Sequence, residues 1–382
     1  MTGPGAAGAA SAAADAPAQT PGTAPGAPDV VCLGESMVTF LPSRPGRLAE
    51  VPAFRRAIGG AESNVACALA AAGHRVRWVS RVGDDGFGEH LVDTVGGYGV
   101  DTSAVARDPH RPTGIYFRTA ADRATGAHEV AYYRAGSAAS AMSPENAPYS
   151  DLLAGRVLHV SGITAALSDD CLALLRTLTA PREGRPLLSF DVNHRPGLWR
   201  GRTPGPEVLL ELARGADLVF VGDDEAEEAW GVTGAGAIRA ALPEPAVLVV
   251  KRGADGATVF SRTDAAGPDV VTEVPSLRVD VVAAVGAGDA FAAGFLSATL
   301  RGLPVRDRVR HGHLMAAAVL TVPGDHTDPP ARAHADRLVA LDDDAWGTLR
   351  LGPGWTGDGG RGDDGRDDDR RDDDRETETG TA

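Results

Sequence analysis

Six short, nearly continuous apolar runs, at 29–34, 76–82, 157–162, 187–193, 218–222 and 247–251, constrain this chain more than any other feature. Several segments between them carry apolar residues at helical spacing, as in Val65, Leu69 and Ala72 or Leu172, Leu175 and Leu178. A strand that alternates polar and apolar residues has one wet face, whereas a continuously apolar strand must be covered on both. Such strands alternating with helices predict an α/β fold, with a parallel sheet between two helical layers. In open sheets of this kind ligands lie beyond the carboxyl ends of the strands.

The rhythm breaks once. Residues 113–120 and 128–136 read as two strands around a turn at 122–126, a hairpin standing off the main sheet. Alternation puts Tyr132 and Arg134 on one of its faces and Tyr133 on the other. A polar-faced hairpin beside a large parallel domain is either a surface pair of strands or a lid over a ligand, and both readings stand at this point.

Composition delimits the rest. Residues 1–28 lack large apolar side chains, a basic start and an apolar run, so they read as a disordered tail and not as a signal peptide. Residues 352–382 read as a second disordered tail, acidic and Arg-rich: from Asp358 to Glu378 there are eleven acidic residues against five Arg. The folded part is then one domain over 29–351. A net charge of −15 argues against nucleic-acid and anionic-membrane partners, and no apolar run is long enough to span a bilayer. Cys32, Cys67 and Cys171 are far apart and apolar-flanked, which predicts buried reduced thiols in a cytoplasmic protein. Lys251 is the single lysine, which reads as a coding bias towards Arg.

The sharpest local signal is Gly286-Ala287-Gly288-Asp289, followed by a helix-like Ala290–Leu296 stretch. Two glycines let the backbone turn tightly, and a helix N-terminus offers unpaired N–H groups to a phosphate. Asp289 in the first turn is either a general base for a hydroxyl or a simple helix cap. The dinucleotide fingerprint fails here for lack of its third glycine, and no P-loop exists, because Lys251 is followed by Arg252. A second pair, Gly59-Gly60, opens another helix-like segment containing Asn64; it is a structural turn or a place for a small polar ligand, where Asn64 bonds a sugar hydroxyl.

Those two motifs, in that order and about 225 residues apart, resemble the ribokinase/PfkB family of carbohydrate kinases. Gly83-Asp84-Asp85-Gly86-Phe87-Gly88, the Lys251–Ala257 loop and Gly324-Asp325 are further landmarks of the resemblance, which covers essentially all of 29–345. It implies a ribokinase-like parallel-sheet sandwich with a small β-sheet lid formed near 35–57 and 108–136. Within the family, 132–140, Ser161-Gly162-Ile163-Thr164 and Asp191–Trp199 are similar to the 2-keto-3-deoxygluconate kinase branch. That branch implies ATP-dependent phosphorylation of 2-keto-3-deoxygluconate at O6.

The resemblance also implies roles. Gly60, Tyr116, Tyr132, Arg134 and Asp325 would contact the sugar acid. Arg195 would lie between substrate and phosphates, with Asn193 on the same strand face reaching the nucleotide. Gly286, Ala287 and Gly288 would bind the γ-phosphoryl group and Asp289 would take the proton. Lys251, Gly253, Gly256 and His313 would line the nucleotide, and Glu225, on a strand end after Gly222, would hold Mg²⁺ through water. Two arginines suit a carboxylate, since a guanidinium fork makes two parallel bonds to it. Some family features are replaced: Ala283 stands where an Asp accompanies a monovalent cation, so that cation is not expected, and Gly222 stands where an Asn precedes the Glu. His311 and His313 are expected on a helix surface. Pairing of two copies through the lid follows the family. The competing readings are the same chemistry on a neutral sugar or nucleoside, and a non-catalytic sugar-acid-binding protein; the retained Asp289 separates the latter.

Overall fold

The computed structural model describes residues 26–119, 129–262, 264, 267–324 and 327–357. The expected 122–126 turn, Asp325 and nearly all of both expected tails lie outside the described residues. All six apolar runs form strands of one nine-stranded sheet. Its order is Val270–Val274, Ala257–Ser261, Val247–Lys251, Leu218–Gly222, Leu187–Asp191, Val157–Ser161, Val30–Leu33, Val76–Gly83 and Val105–Asp108. Pairing is parallel from Val247–Lys251 through to Val105–Asp108, and the first two strands are added antiparallel.

Continuous apolarity does what it predicts. Val30 and Cys32 enter one core, Val31 and Leu33 the other; Leu218 and Phe220 divide from Val219 and Val221 in the same way. Each buried Val, Leu or Phe contributes about 1.5–3 kcal/mol relative to exposure, so both layers are needed to hold the sheet. The strands with no such run, Val105–Asp108, Ala257–Ser261 and Val270–Val274, all lie at or next to a sheet edge. Val270 and Val271 are indeed exposed. Cys32, Cys67 and Cys171 are buried free thiols, and burial pushes the Cys67 thiol up to about 12. Among the described residues no helix is long and apolar enough to cross a membrane.

A separate four-stranded sheet, ordered Phe54–Gly59, Met37–Pro42, Ile115–Arg118 and Val130–Tyr133, forms a lid. Phe117 stacks on Phe40 with centroids 4.6 Å apart, and Phe40 meets Phe87 of the Gly86–Gly97 helix at 5.8 Å, edge to face. Asp85 caps that helix through Phe87 N–H and Gly88 N–H, and its carboxylate also accepts from the N–H and hydroxyl of Thr113. These donors hold the Asp85 carboxyl below its usual range against the opposing pull of burial. The entry to the hairpin is thereby clamped to the main domain.

Candidate active site

The carboxyl ends of the central parallel strands converge on the loop before the Ala287–Leu300 helix. Gly286 caps that helix at φ 81°, in the left-handed region that only glycine enters at little cost. The turn it makes leaves the backbone of Ala287 and Gly288 accessible and puts Asp289 in the first helical turn. The side-chain amide of Asn64 donates to Asp289 Oδ2 at 2.8 Å and that of Asn193 to Oδ1 at 3.4 Å. Burial pushes the Asp289 carboxyl up to about 7; the Asn64 bond opposes this, nearby Asp191 adds to it, and Arg195 and Lys251 oppose it. A carboxylate near 7 is poised to accept a proton at neutral pH. Asn64 therefore faces the carboxylate, and its own Oδ1 accepts from Gly60 N–H at 3.4 Å.

Gly60 is extended, and its constraint is space: an added Cβ would lie 2.4 Å from the Glu35 carbonyl oxygen. That close approach brings the end of the first strand, and Glu35, to the second glycine motif. Glu35 is almost fully buried, pairs with the Arg134 guanidinium and accepts from Ser137 Oγ at 2.6 Å. Arg134 is thus a neutralised cation where two free arginines had been expected. Its Nε is buried with no partner among the described residues. The expected faces hold: the Tyr116 and Tyr132 rings are 5.4 Å apart and Arg134 lies 5.8 Å from the Tyr132 centroid, while Tyr133 meets Phe117 on the other face.

Opposite the lid, the strand Leu187–Asp191 stops before Asn193, which takes φ 42°. Asn193 and Arg195 therefore share a turn and not a strand face. Arg195 is half exposed, donates to the His194 carbonyl and lies 3.6 Å from Glu225. Glu225 sits in the first turn of the Asp223–Trp230 helix and not on the strand end, and accepts from Gly222 N–H at 2.8 Å. Burial pushes its carboxyl up, while Lys251 opposes this. Lys251 turns inward and bonds both oxygens of the buried Asp191 at 3.2 Å. Gly253 and Gly256 bracket the short turn Gly253–Asp255 just beyond it.

The surface placement of His311 and His313 is corrected: both are buried. The Val305–Leu320 helix presses on the Ala287–Leu300 helix so closely that a Cβ on Gly312 would meet Phe291 at 2.9 Å, which turns the histidine face inward. His313 packs edge-on to Phe291 at 5.2 Å, and burial lowers it to about 4. Among the described residues no group of three or more His, Cys, Asp or Glu is arranged to hold a metal. Two residues went unassigned in the sequence, Glu35 and Asp191. Each is an acidic residue at the end of an apolar strand, which was the available signal.

A sheet of this order under a small separate lid is a ribokinase-like α/β fold, with a helix N-terminus rather than a P-loop at the strand ends. Residues 27–332 match the pfkB family carbohydrate kinases, and the chain belongs to that family. It is therefore a carbohydrate kinase, as the motifs implied. Among curated relatives, a 2-dehydro-3-deoxygluconokinase of Bacillus subtilis is 36% identical over 309 residues, covering 80% of this chain and 93% of that protein. Another 2-dehydro-3-deoxygluconokinase, of Thermoproteus tenax, is 33% identical over 81% of this chain and 94% of its own. Fructokinases stand close behind: a probable fructokinase-6 of Arabidopsis thaliana is 29% identical over 76% of each. A solved PfkB protein of Polaromonas superposes with a TM-score of 0.69 at 33% identity, covering 82% of this chain and 100% of that one. A putative ribokinase II of E. coli, solved with ATP and Mg²⁺, superposes at 0.70 with 21% identity, over 81% of this chain and 98% of its own.

Proposed function

We propose that this kinase phosphorylates 2-keto-3-deoxygluconate at O6, using ATP. The observation that carries the reading is the lid arginine. Arg134 lies 5.8 Å from the Tyr132 ring centroid on the Tyr116–Tyr132 face, where a guanidinium fork suits a substrate carboxylate. The two 2-dehydro-3-deoxygluconokinases, matched along nearly their whole lengths, support the same choice. The sugar hydroxyl attacks the γ-phosphorus while Asp289, oriented by Asn64 and Asn193, takes its proton. The N–H groups of the Gly286–Gly288 turn face the transferring group, so the protein's work is alignment and charge stabilisation. Glu225 would hold the water shell of Mg²⁺, which when bound would supply charge neutralisation on the phosphates. Ala283 supplies no carboxylate for a monovalent cation. Gly60 belongs to the sugar side; Gly253, Gly256 and the His313 helix belong to the nucleotide side. Exposed Val130, Tyr132 and Tyr133 on the edge strand of the lid fit pairing of two copies through that sheet.

A second reading, a fructokinase, draws on Glu35, which cancels the Arg134 charge as a neutral sugar would prefer. ADP release with Mg-ATP over 2-keto-3-deoxygluconate, its galactonate epimer, gluconate, fructose and ribose separates the two. Turnover confined to the keto-deoxy acids, with Arg134→Ala weakening them alone, is the expected result. Turnover on fructose, or an Arg134→Ala loss equal for acid and neutral sugars, overturns the acid reading.

A further inference from the structure

Glu35 lies where the chain crosses from the main sheet to the lid, between the strands Val30–Leu33 and Met37–Pro42, and Arg134 follows the last lid strand, Val130–Tyr133. One ion pair joins the two crossings, with the Arg134 side chain 11% exposed and that of Glu35 only 1%. The Glu35 end is fixed by its frame. Ser137 Oγ donates to Oε1 at 2.6 Å, the Trp78 indole donates to the Gly34 carbonyl at 3.2 Å, and a Cβ added to Gly114 would lie 3.0 Å from Oε1. The Arg134 end faces the sugar side: its guanidinium lies 5.8 Å from the centroid of Tyr132, a ring that is itself exposed. A ligand on the Tyr116–Tyr132 face therefore meets a guanidinium that Glu35 already holds. A neutral hydroxyl is indifferent to this, because it takes a hydrogen bond and brings no charge. A carboxylate is attracted by Arg134 and repelled by Glu35. Without Glu35 the lid would carry a bare, largely buried cation, a costly state that an anion relieves.

We propose that Glu35 is a specificity-determining residue, acting through Arg134 to hold down the affinity of the sugar site for anions. A sugar acid is then admitted on its hydroxyls and shape as well as its charge. This deepens the reading of the lid face as the sugar site and rests on it. The competing role is purely structural: Glu35 ties the lid to the sheet, and its charge makes no difference between one ligand and another.

Glu35→Gln keeps the side-chain length and an acceptor for Ser137 and Arg134, and removes the charge. Parent and variant are compared on 2-keto-3-deoxygluconate and fructose, through KM where a sugar is turned over and a competitive inhibition constant where it is not. The constant for the acid should fall roughly tenfold, the effect of losing a nearby like charge in a partly screened site, while that for fructose stays within about threefold. An equal change for both, or weaker binding of the acid, overturns the proposal. In Glu35→Gln/Arg134→Met neither charge of the pair remains, and the gain for the acid should disappear. A gain that persists shows that Glu35 does not act through Arg134 and also overturns the proposal. Thermal unfolding gives a readout independent of turnover. The acid should raise the midpoint of Glu35→Gln more than that of the parent, since it supplies the missing counter-ion, and fructose should raise both alike. Where Glu35→Gln is unfolded by itself, the acid should restore its fold and fructose should not; restoration by both or by neither overturns the proposal. A parent that turns over fructose alone would sink the acid reading, and the acid-to-fructose shift in Glu35→Gln would still decide the role of Glu35.

Discussion

Two helices in this protein open alike and end up doing opposite things. Gly60 precedes Ala61–Ala71 and Gly286 precedes Ala287–Leu300, and each helix carries an acidic residue in its first turn, Glu62 and Asp289. Glu62 is fully buried, and one of its oxygens accepts from Ser161 N–H at 3.1 Å, Ser161 Oγ at 2.8 Å and Thr164 Oγ1 at 2.8 Å. Its other oxygen has no partner among the described residues. Gly34 is so close that an added Cβ would lie 2.0 Å from the Glu62 carboxyl carbon. Glu62 is a brace between the first helix and the turn after the Val157–Ser161 strand. Asp289 is held instead by two side-chain amides, beside a backbone turn that is still accessible. Burial raises both carboxyls, so a raised pKa alone does not distinguish a base from a brace. The surroundings do: the brace is shut inside the frame, whereas the base is oriented beside a turn that a ligand can reach.

The largest expected effect tests the open carboxylate. Asp289→Asn should slow turnover by roughly 10²–10⁴, the usual contribution of a general base. Parent turnover, followed by ADP release, should rise with pH and level off above about 7, the value to which burial pushes the Asp289 carboxyl. A variant with parental turnover would break the contrast outright.

Glu62→Ala probes the other side. Three donors lose their acceptor inside the protein, at about 1–3 kcal/mol for each buried group left unpaired, so urea unfolding should show a loss of roughly 3 kcal/mol or more. The variant that remains folded should keep kcat within a few-fold. Lost turnover at full stability would mean that Glu62 belongs to the chemistry.

The smallest effect concerns what the base costs the fold. A carboxyl whose folded pKa is raised binds its proton more tightly when folded, so stability declines as pH rises from the unfolded value near 4 through about 7. Asn escapes that decline. Asp289→Asn should therefore melt higher than the parent at pH 8, with the gain vanishing towards pH 4. A gain independent of pH would show that its origin is not the buried charge.

Much of this organisation was legible in the chain. The six apolar runs became six strands because a continuous apolar strand has no stable place except between two layers, and Val30, Val31, Cys32 and Leu33 divide between the two cores accordingly. The edge strands Val105–Asp108 and Val270–Val274 were not legible, since an edge buries too little to impose that pattern. The histidine pair misled for a related reason: polarity suggests a wet face, yet Gly312 lets two helices close over His311 and His313.

At the site, the local motifs alone determined which backbone turns tightly and where a carboxylate enters a helix. Glycine at φ 81° and an Asp in the first turn are properties of a few consecutive residues. Charge could not be read the same way. Arg134 and Glu35 are 99 positions apart, Lys251 and Asp191 are 60 apart, and Asn64 and Asp289 are 225 apart. Pairing at such separations is set by which strand ends the sheet brings together. Only the tertiary structure decided that one arginine arrives already neutralised, that the lone lysine turns inward, and that the base is held by the amide expected to hold the sugar. Electrostatic interaction depends on distance in space and on burial, and neither is written along a chain before it folds.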